Sequence, residues 1–411
     1  MSHSVLSYEQ LRKAVTGTAA AFRSVTKLQP AVGQEGKIFP ATYSQGKYLT
    51  EKRRLSPGAE PVDCVLMASV QACANIGEEA LLDAVRSGRI ELPLIEVDFE
   101  DLNPSLRKPF ERITSLQAPH RLADAILRDS VLPDGTRFSS SEYASAWGKA
   151  NTWNATPIYK LAPHALVFGL WGSPKKPGGL GAKFERTIVS EIVAIDAIRV
   201  DGREGFRIDP CGASRAVKVL PKDDGSFEVV GDSRKEVKGS VRPSEINHGN
   251  VLWPSTKSVG PTNAGIRCRF IELSTVISLP ALRRLKFPLD GNKQSDPAVD
   301  ELARSVLAAI GLCSATLAAE RGLDLRSRCL LHEEEPRVWE LIDKPGSTPE
   351  KLIFDAHNAT ALLRDALTSA EKAGLRWQKE PIVLKPSKEF GELIRLSQER
   401  EVAEEGEGDS K

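Results

Sequence analysis

Three stretches of the 411-residue chain hold residue types suited to a phosphate-bearing ligand. The first is Gly178-Gly179-Leu180-Gly181-Ala182-Lys183-Phe184, preceded by Lys175 and Lys176. Closely spaced glycines let backbone N–H groups approach phosphate oxygens, and a neighbouring lysine supplies charge. A Walker loop does not fit, because Phe184 follows Lys183 where Ser or Thr is required. Nor does the stretch open a helix, as a dinucleotide fingerprint would; a plain glycine-rich connection between strands accounts for the same residues. The second stretch, Arg112-Ile113-Thr114-Ser115-Leu116-Gln117-Ala118-Pro119-His120-Arg121, puts two arginines, a histidine and two hydroxyls before a predicted helix. Helix N-termini attract phosphates through free N–H groups and the dipole. His120, Asp124 and Asp129 lack the second histidine that a metal site would want, so Asp124 is expected to face solvent or pair with Arg121 or Arg128. The third stretch interleaves Phe39, Tyr43 and Tyr48 with Lys37, Lys47, Arg53 and Arg54. Such aromatics stack on bases while the cations hold the backbone, or they pin the loop to the core.

Other chemistry is poorly supported. His164, His248 and His332 have no partner at catalytic spacing, and Glu333 to Glu335 read as a solvated acidic turn. No cofactor and no metal is expected. The six cysteines (Cys64, Cys73, Cys211, Cys268, Cys313, Cys329) form no C-x-x-C pair and suit reduced, mostly buried thiols in a cytosol. No signal peptide and no 18-residue apolar stretch is read, hence no membrane.

The formal net charge of +1 hides an uneven distribution. Ala21 to Gly58 carries +5 and Tyr159 to Arg186 carries +4, while Pro386 to Lys411 carries −4. Local patches rather than totals decide where a polyanion docks.

The elements that must position these residues alternate irregularly. Helices are expected at Tyr8–Phe22, Val65–Val85 (bent near Gly77), Pro119–Ser130, Asp296–Arg321 and Asn358–Ala373, with a short one through Leu282 and Leu285. Strands are expected at Ile90–Phe99, Ala165–Trp171, Thr187–Val200, Gly265–Ile277 and Arg326–Leu331. Asp224-Gly225 marks a hairpin within Arg215–Asn250. Ser24 to Pro61 reads as one long basic loop, a length that is usually functional or disordered. Past Pro386 a few helical turns are expected to fray into disorder. The pattern is an α+β domain over residues 1–385, with an acidic tail over 386–411.

Taken in order, Val25-Thr26-Lys27-Leu28-Gln29-Pro30, Lys37-Ile38-Phe39-Pro40, Arg112-Ile113-Thr114-Ser115, Ala118-Pro119-His120-Arg121, Gly178–Phe184 leading into Val189-Ser190-Glu191-Ile192-Val193, and Leu282-Arg283-Arg284-Leu285 resemble a known family. It is the RAMP-superfamily backbone subunit, Cas-seven type, of the type I-G (formerly I-U) CRISPR Cascade complex. The resemblance spans Phe22 to Phe287. It implies an RRM-like, ferredoxin-related palm with long finger and thumb insertions in a cytoplasmic prokaryotic protein. Copies would stack head to tail along CRISPR RNA and present it to target DNA. Other Cascade subunits and, indirectly, a helicase-nuclease would be its partners. On this reading RNA would meet Lys27, Lys37, Arg53, Arg54, Arg112, Ser115, His120, Arg121, Lys175, Lys176, Gly179, Gly181, Lys183 and Arg186, and the chain would not be an enzyme. Two readings compete. One is a metal-independent RAMP endoribonuclease that cuts CRISPR repeat RNA with His120 as general base. The other is a nucleotide-dependent enzyme using the Gly178–Lys183 loop.

Overall fold

A computed structural model describes residues 4–43, 47–172, 181–200, 217–222, 226–230, 237–241, 265–289, 292 and 294–408. The elements that frame the site are, in chain order, α1 (Tyr8–Thr16), β1 (Ala21–Pro30), β2 (Thr50–Arg53), β3 (Val62–Ala68), α2 (Val70–Arg86), β4 (Ile188–Arg199), β5 (Ile266–Ser278), α3 (Pro297–Arg321), β6 (Leu330–Glu333), β7 (Trp339–Ile342) and α4 (Ala356–Lys372). The mixed α+β class inferred from the sequence holds.

Ser7 starts α1 with a reciprocal capping box to Gln10, and Gly17 ends it. The helix therefore stops before Phe22, which belongs instead to β1. That strand lacks the apolar alternation of a strand, and so resembles a loop in sequence, because its inward residues include Ser24 and Thr26. Both are buried, their hydroxyls lie 3.2 Å apart, and Ser24 Oγ donates to the Val338 carbonyl. Buried but mutually satisfied hydroxyls cost little and hide the apolar alternation. The Ser24–Pro61 stretch is thus half strand: β1, a bridge from Ile38 to Ile266, and β2 paired with β3.

The largest sheet orders its strands as Leu323–Asp324, β6, β1, β5, β4, β3, β2, with β7 also on β1 and Glu350–Leu352 beyond it. β1 with β5, β5 with β4 and β4 with β3 are all antiparallel. With β2 and β3 set aside as an extension at the sheet edge, β1, α2, β4, β5, α3 and β6/β7 follow along the chain as β-α-β-β-α-β. One face of the sheet carries Leu28, Ile192, Ala194, Ile271 and Leu273 into the main core. There α3 packs on α1, α2, α4 and β5. By length and composition α3 could cross a membrane, contrary to the sequence reading, but 89% of its apolar window is buried in the protein. It begins at Asp296, whose side chain caps Ala298, with Pro297 in the first turn. Its Asp300 is fully buried and takes the Phe287 N–H at 2.7 Å, the Ser295 hydroxyl at 3.1 Å and an ion pair with Lys286 at 3.1 Å, with Arg304 at 3.3 Å.

A second sheet joins the short strands Ile113–Thr114, Ile95–Val97, Ile382–Pro386 and Ser130–Val131. Three expected elements differ, and the first, Val65–Val85, is strand β3 up to Ala68 and helix α2 only from Val70. Pro119–Ser130 is a 3-10 turn at Arg121–Ala123 followed by the short helix Ala125–Arg128. Ala165–Trp171 is the helix His164–Phe168 and then the strand Leu170–Trp171. All these elements belong to one compact unit: residues 1–101, 110–199 and 265–387. A second unit comprises residues 102–109, 200–264 and 388–411. In it Val219–Pro221 pairs with Phe227–Val229, the expected hairpin, though Asp224 and Gly225 lie outside the described residues. The acidic end holds a helix, Lys388–Gly408, longer than the few turns expected.

Candidate nucleic-acid interface

Two of the three stretches come together. Leu170–Trp171 pairs antiparallel with Lys183–Phe184, and the Gly172 N–H donates to the Ala182 carbonyl at 2.8 Å. This hairpin faces the turn at His120–Ala123. The turn is held by N–H bonds from Arg121 to Ala118 and from Ala123 to His120. Asp124 is buried, and its carboxylate accepts the backbone N–H groups of His120 and Ile126, both at 2.9 Å. It is an N-cap for the short helix, not the solvent-facing or arginine-paired residue the sequence suggested. The helix Glu142–Gly148 completes the walls with Trp147. The open cavity between them measures about 540 Å³ and is lined by His120, Arg128, Ser139, Trp147, Trp171 and Gly181, among others. A Cβ on Gly172 would stand 3.0 Å from the Trp147 ring, so a larger residue there would require the indole to shift by a few tenths of an ångström.

The exposed surface of the groove is aromatic and cationic. Trp171 is 68% exposed, and the Lys183 ammonium sits 4.9 Å from its ring centroid. His120 on the wall is also exposed, Arg128 pairs with Asp129 at 2.7 Å, and Arg186 is exposed beside Gly169 outside the cavity lining. Arg128, Trp147 and Trp171 escaped the sequence reading as site residues. Nothing local distinguishes an exposed tryptophan from a core one; the glycines flanking Trp171 were the available hint.

Two expected contacts are corrected. Arg121 is buried, with Nε and Nη2 donating to Glu78 at 2.7 Å each and Nη1 to the Gly169 carbonyl at 3.0 Å. Buried and with three of its five N–H groups so engaged, the guanidinium is not presented to a phosphate. Burial pushes the Glu78 carboxyl up to about 7, against the lowering by Arg121 and, more weakly, by Arg186. Ser115 is likewise buried; its carbonyl accepts from His164 Nε2 at 3.2 Å. Burial, then the Arg121 charge, pushes His164 down to about 3.

The remaining residues do not share the groove. Lys27 projects from β1 on the face away from the main core, opposite Glu272 and 5.4 Å from the Phe270 ring centroid. Arg53 lies on that face among Glu51, Glu191 (2.8 Å) and Glu272 (4.0 Å). Lys37 stands 5.6 Å from the Phe39 ring centroid, which Arg328 approaches at 4.4 Å. Its neighbour Ile38 bridges Ile266, the partner of Arg199, whereas Arg186 precedes Ile188 at the other end of β4. Eleven strand steps, about 35 Å, separate those ends. Arg54 donates to the Ala59 carbonyl. Arg112 is half exposed but held by Asp98 at 2.7 Å and Glu96 at 3.4 Å. Of the third stretch's aromatics, Tyr48 is in the core and pins the loop. Lys175, Lys176 and Gly179 lie outside the described residues.

Residues 22–199, which include β1 to β3, α2 and both walls of the groove, match the model of a family described as CRISPR-associated protein GSU0053. The match supports a CRISPR-associated protein. No curated protein matches the chain. The matched segment carries every described site residue from Lys27 to Arg186, so the support falls on the region that holds the groove.

Proposed function

We propose that the protein is a non-catalytic CRISPR RNA-binding backbone subunit of a type I-G (formerly I-U) Cascade complex. The observation that carries this reading is the juxtaposition of exposed Trp171 and Lys183 with His120 across one groove. Aromatic faces stack on bases of any sequence while cations hold phosphates, which suits a guide whose sequence varies. The β-α-β-β-α-β order of the large sheet supports an RRM-like palm of the RAMP type. Cations near the two ends of β4, some 35 Å apart, suit an extended strand better than a compact ligand. In this reading copies of the chain assemble head to tail along the guide in a prokaryotic cytoplasm, since heterologous contacts that do not close give helical arrays. The guide pairs with target DNA, and other subunits recruit the nuclease.

The experiment is expression beside a CRISPR array, followed by extraction of nucleic acid from the purified protein. A discrete small RNA carrying repeat sequence is the expected result; a protein free of RNA would count against the proposal.

Exposed His120 on the groove wall favours one competing reading, a metal-independent endoribonuclease. The Asp124 carboxylate, which accepts the His120 and Ile126 backbone N–H groups, is spent on backbone amides rather than on orienting the imidazole. Repeat RNA incubated with the protein in chelator decides between the two. Intact RNA is expected; specific cleavage lost in His120→Ala would replace the backbone reading.

A further inference from the structure

The two walls of the groove come from segments 48 residues apart, and one side chain ties them together. Arg121 lies between His120 and Leu122, both of which line the groove, yet its own side chain turns inward. Its backbone has φ +52°, a conformation that residues with a Cβ rarely adopt. Held there, the turn points its two neighbours at the cavity and sends the guanidinium the other way. The planar fork then makes two bonds to Glu78 on α2 and one to the Gly169 carbonyl. Gly169 is the residue from which the Trp171–Lys183 hairpin springs. It has φ +93° and ψ 152°, and a Cβ there would fall 2.9 Å from Arg186 Cγ.

We infer that Arg121 is a positioning residue that sets the spacing between the His120 wall and the Trp171–Lys183 hairpin, using Glu78 as its anchor. The inference rests on the groove being the RNA site, but the device itself is mechanical. A lysine could neutralise Glu78 without reaching Gly169 as well, whereas the guanidinium meets both with fixed geometry.

A merely structural ion pair makes a different prediction. Replacing both partners of a buried pair by apolar residues of similar volume is often neutral for stability. In the double variant Glu78→Met/Arg121→Met, stability should return close to that of the parent while the wall spacing stays lost. Affinity for a single-stranded repeat RNA should then be about tenfold weaker, the scale of one lost hydrogen bond. The dependence of affinity on salt should keep the parent slope, because no phosphate contact has gone. Arg121→Lys, which preserves the charge, should show the same loss and serves if the double variant folds poorly. Hydrogen exchange supplies a readout that needs no RNA: the Gly172 amide, bonded to Ala182 across the hairpin, should exchange about tenfold faster in both variants, with β1 and β5 unchanged. Parental affinity in the stable double variant, a salt slope reduced by about 0.7, or unaltered exchange at Gly172 would each overturn the positioning role. If the parent itself bound no RNA, the groove's assignment would fail while the exchange result still decided the role of Arg121.

Discussion

Replacing Trp171 and Lys183 one at a time separates stacking from charge at the groove. The two side chains are neighbours across a strand pair, with the ammonium 4.9 Å above the indole, so each variant removes one kind of contact from the same place. Trp171→Ala removes a face that is 68% exposed and carries no charge. Base–aromatic stacking contributes about 1–3 kcal/mol, so affinity for single-stranded RNA should fall about 5- to 150-fold, by the same factor at every salt concentration. Lys183→Ala should behave differently. A single phosphate contact to a single strand contributes about 0.7 to the salt slope. Between 50 and 200 mM salt, a fourfold change, the deficit of this variant relative to the parent should shrink by about 2.6-fold. Fluorescence anisotropy of a labelled repeat RNA at four salt concentrations measures both effects, with circular dichroism as the control for folding. Parental affinity in folded Trp171→Ala would refute the stacking argument. A Lys183→Ala deficit that ignores salt would refute the phosphate contact.

Three further outcomes concern the scaffold. Asp300→Ala strips a fully buried carboxylate from Arg304, Lys286 and the Phe287 N–H, and should cost about 3–5 kcal/mol in urea unfolding, with Asp300→Asn milder. Gly169→Ala forces a Cβ into a backbone region that is essentially glycine's alone and should cost about 1–3 kcal/mol, seen as a lower Tm. His164, held near 3 when folded against about 6.5 when unfolded, takes up its proton mainly in the unfolded chain between those values. Its contribution to stability is therefore present above pH 6.5 and lost as pH falls towards 3, at up to about 1.4 kcal/mol per unit. Glu78, raised by burial, works in the opposite sense between about 4.5 and 7, in parent and variant alike. Relative to the parent, His164→Gln should therefore gain stability as pH falls from 6.5 to 4, measured by urea midpoints across that range.

Several elements were legible because their cues are local. Alternating β-branched residues marked β4 and β5, and Asp296-Pro297 and Gly322 bracketed α3 within a residue of the expected bounds. The run Ala165–Phe168 misled because the helix there is buried on every side, which erases periodicity as a guide. The expected helix Val65–Val85 misled for a related reason: β3 passes directly into α2 through a single capping Ser69, so strand and helix read as one apolar stretch.

The candidate site divides along the same line. The sequence by itself determined which segments carry cations, glycines and aromatics. It also determined that the Gly178–Phe184 stretch is unsuited to a Walker role, since those properties reside in residue type and spacing. Only the tertiary structure decided which of those residues are available. Glu78 lies 43 residues before Arg121, and the pair's burial turns an expected phosphate ligand into a brace. Lys183, with an equal formal charge, stays at the surface over Trp171. Charge is a property of the side chain, but desolvation and partnership belong to the neighbours that folding brings from elsewhere in the chain.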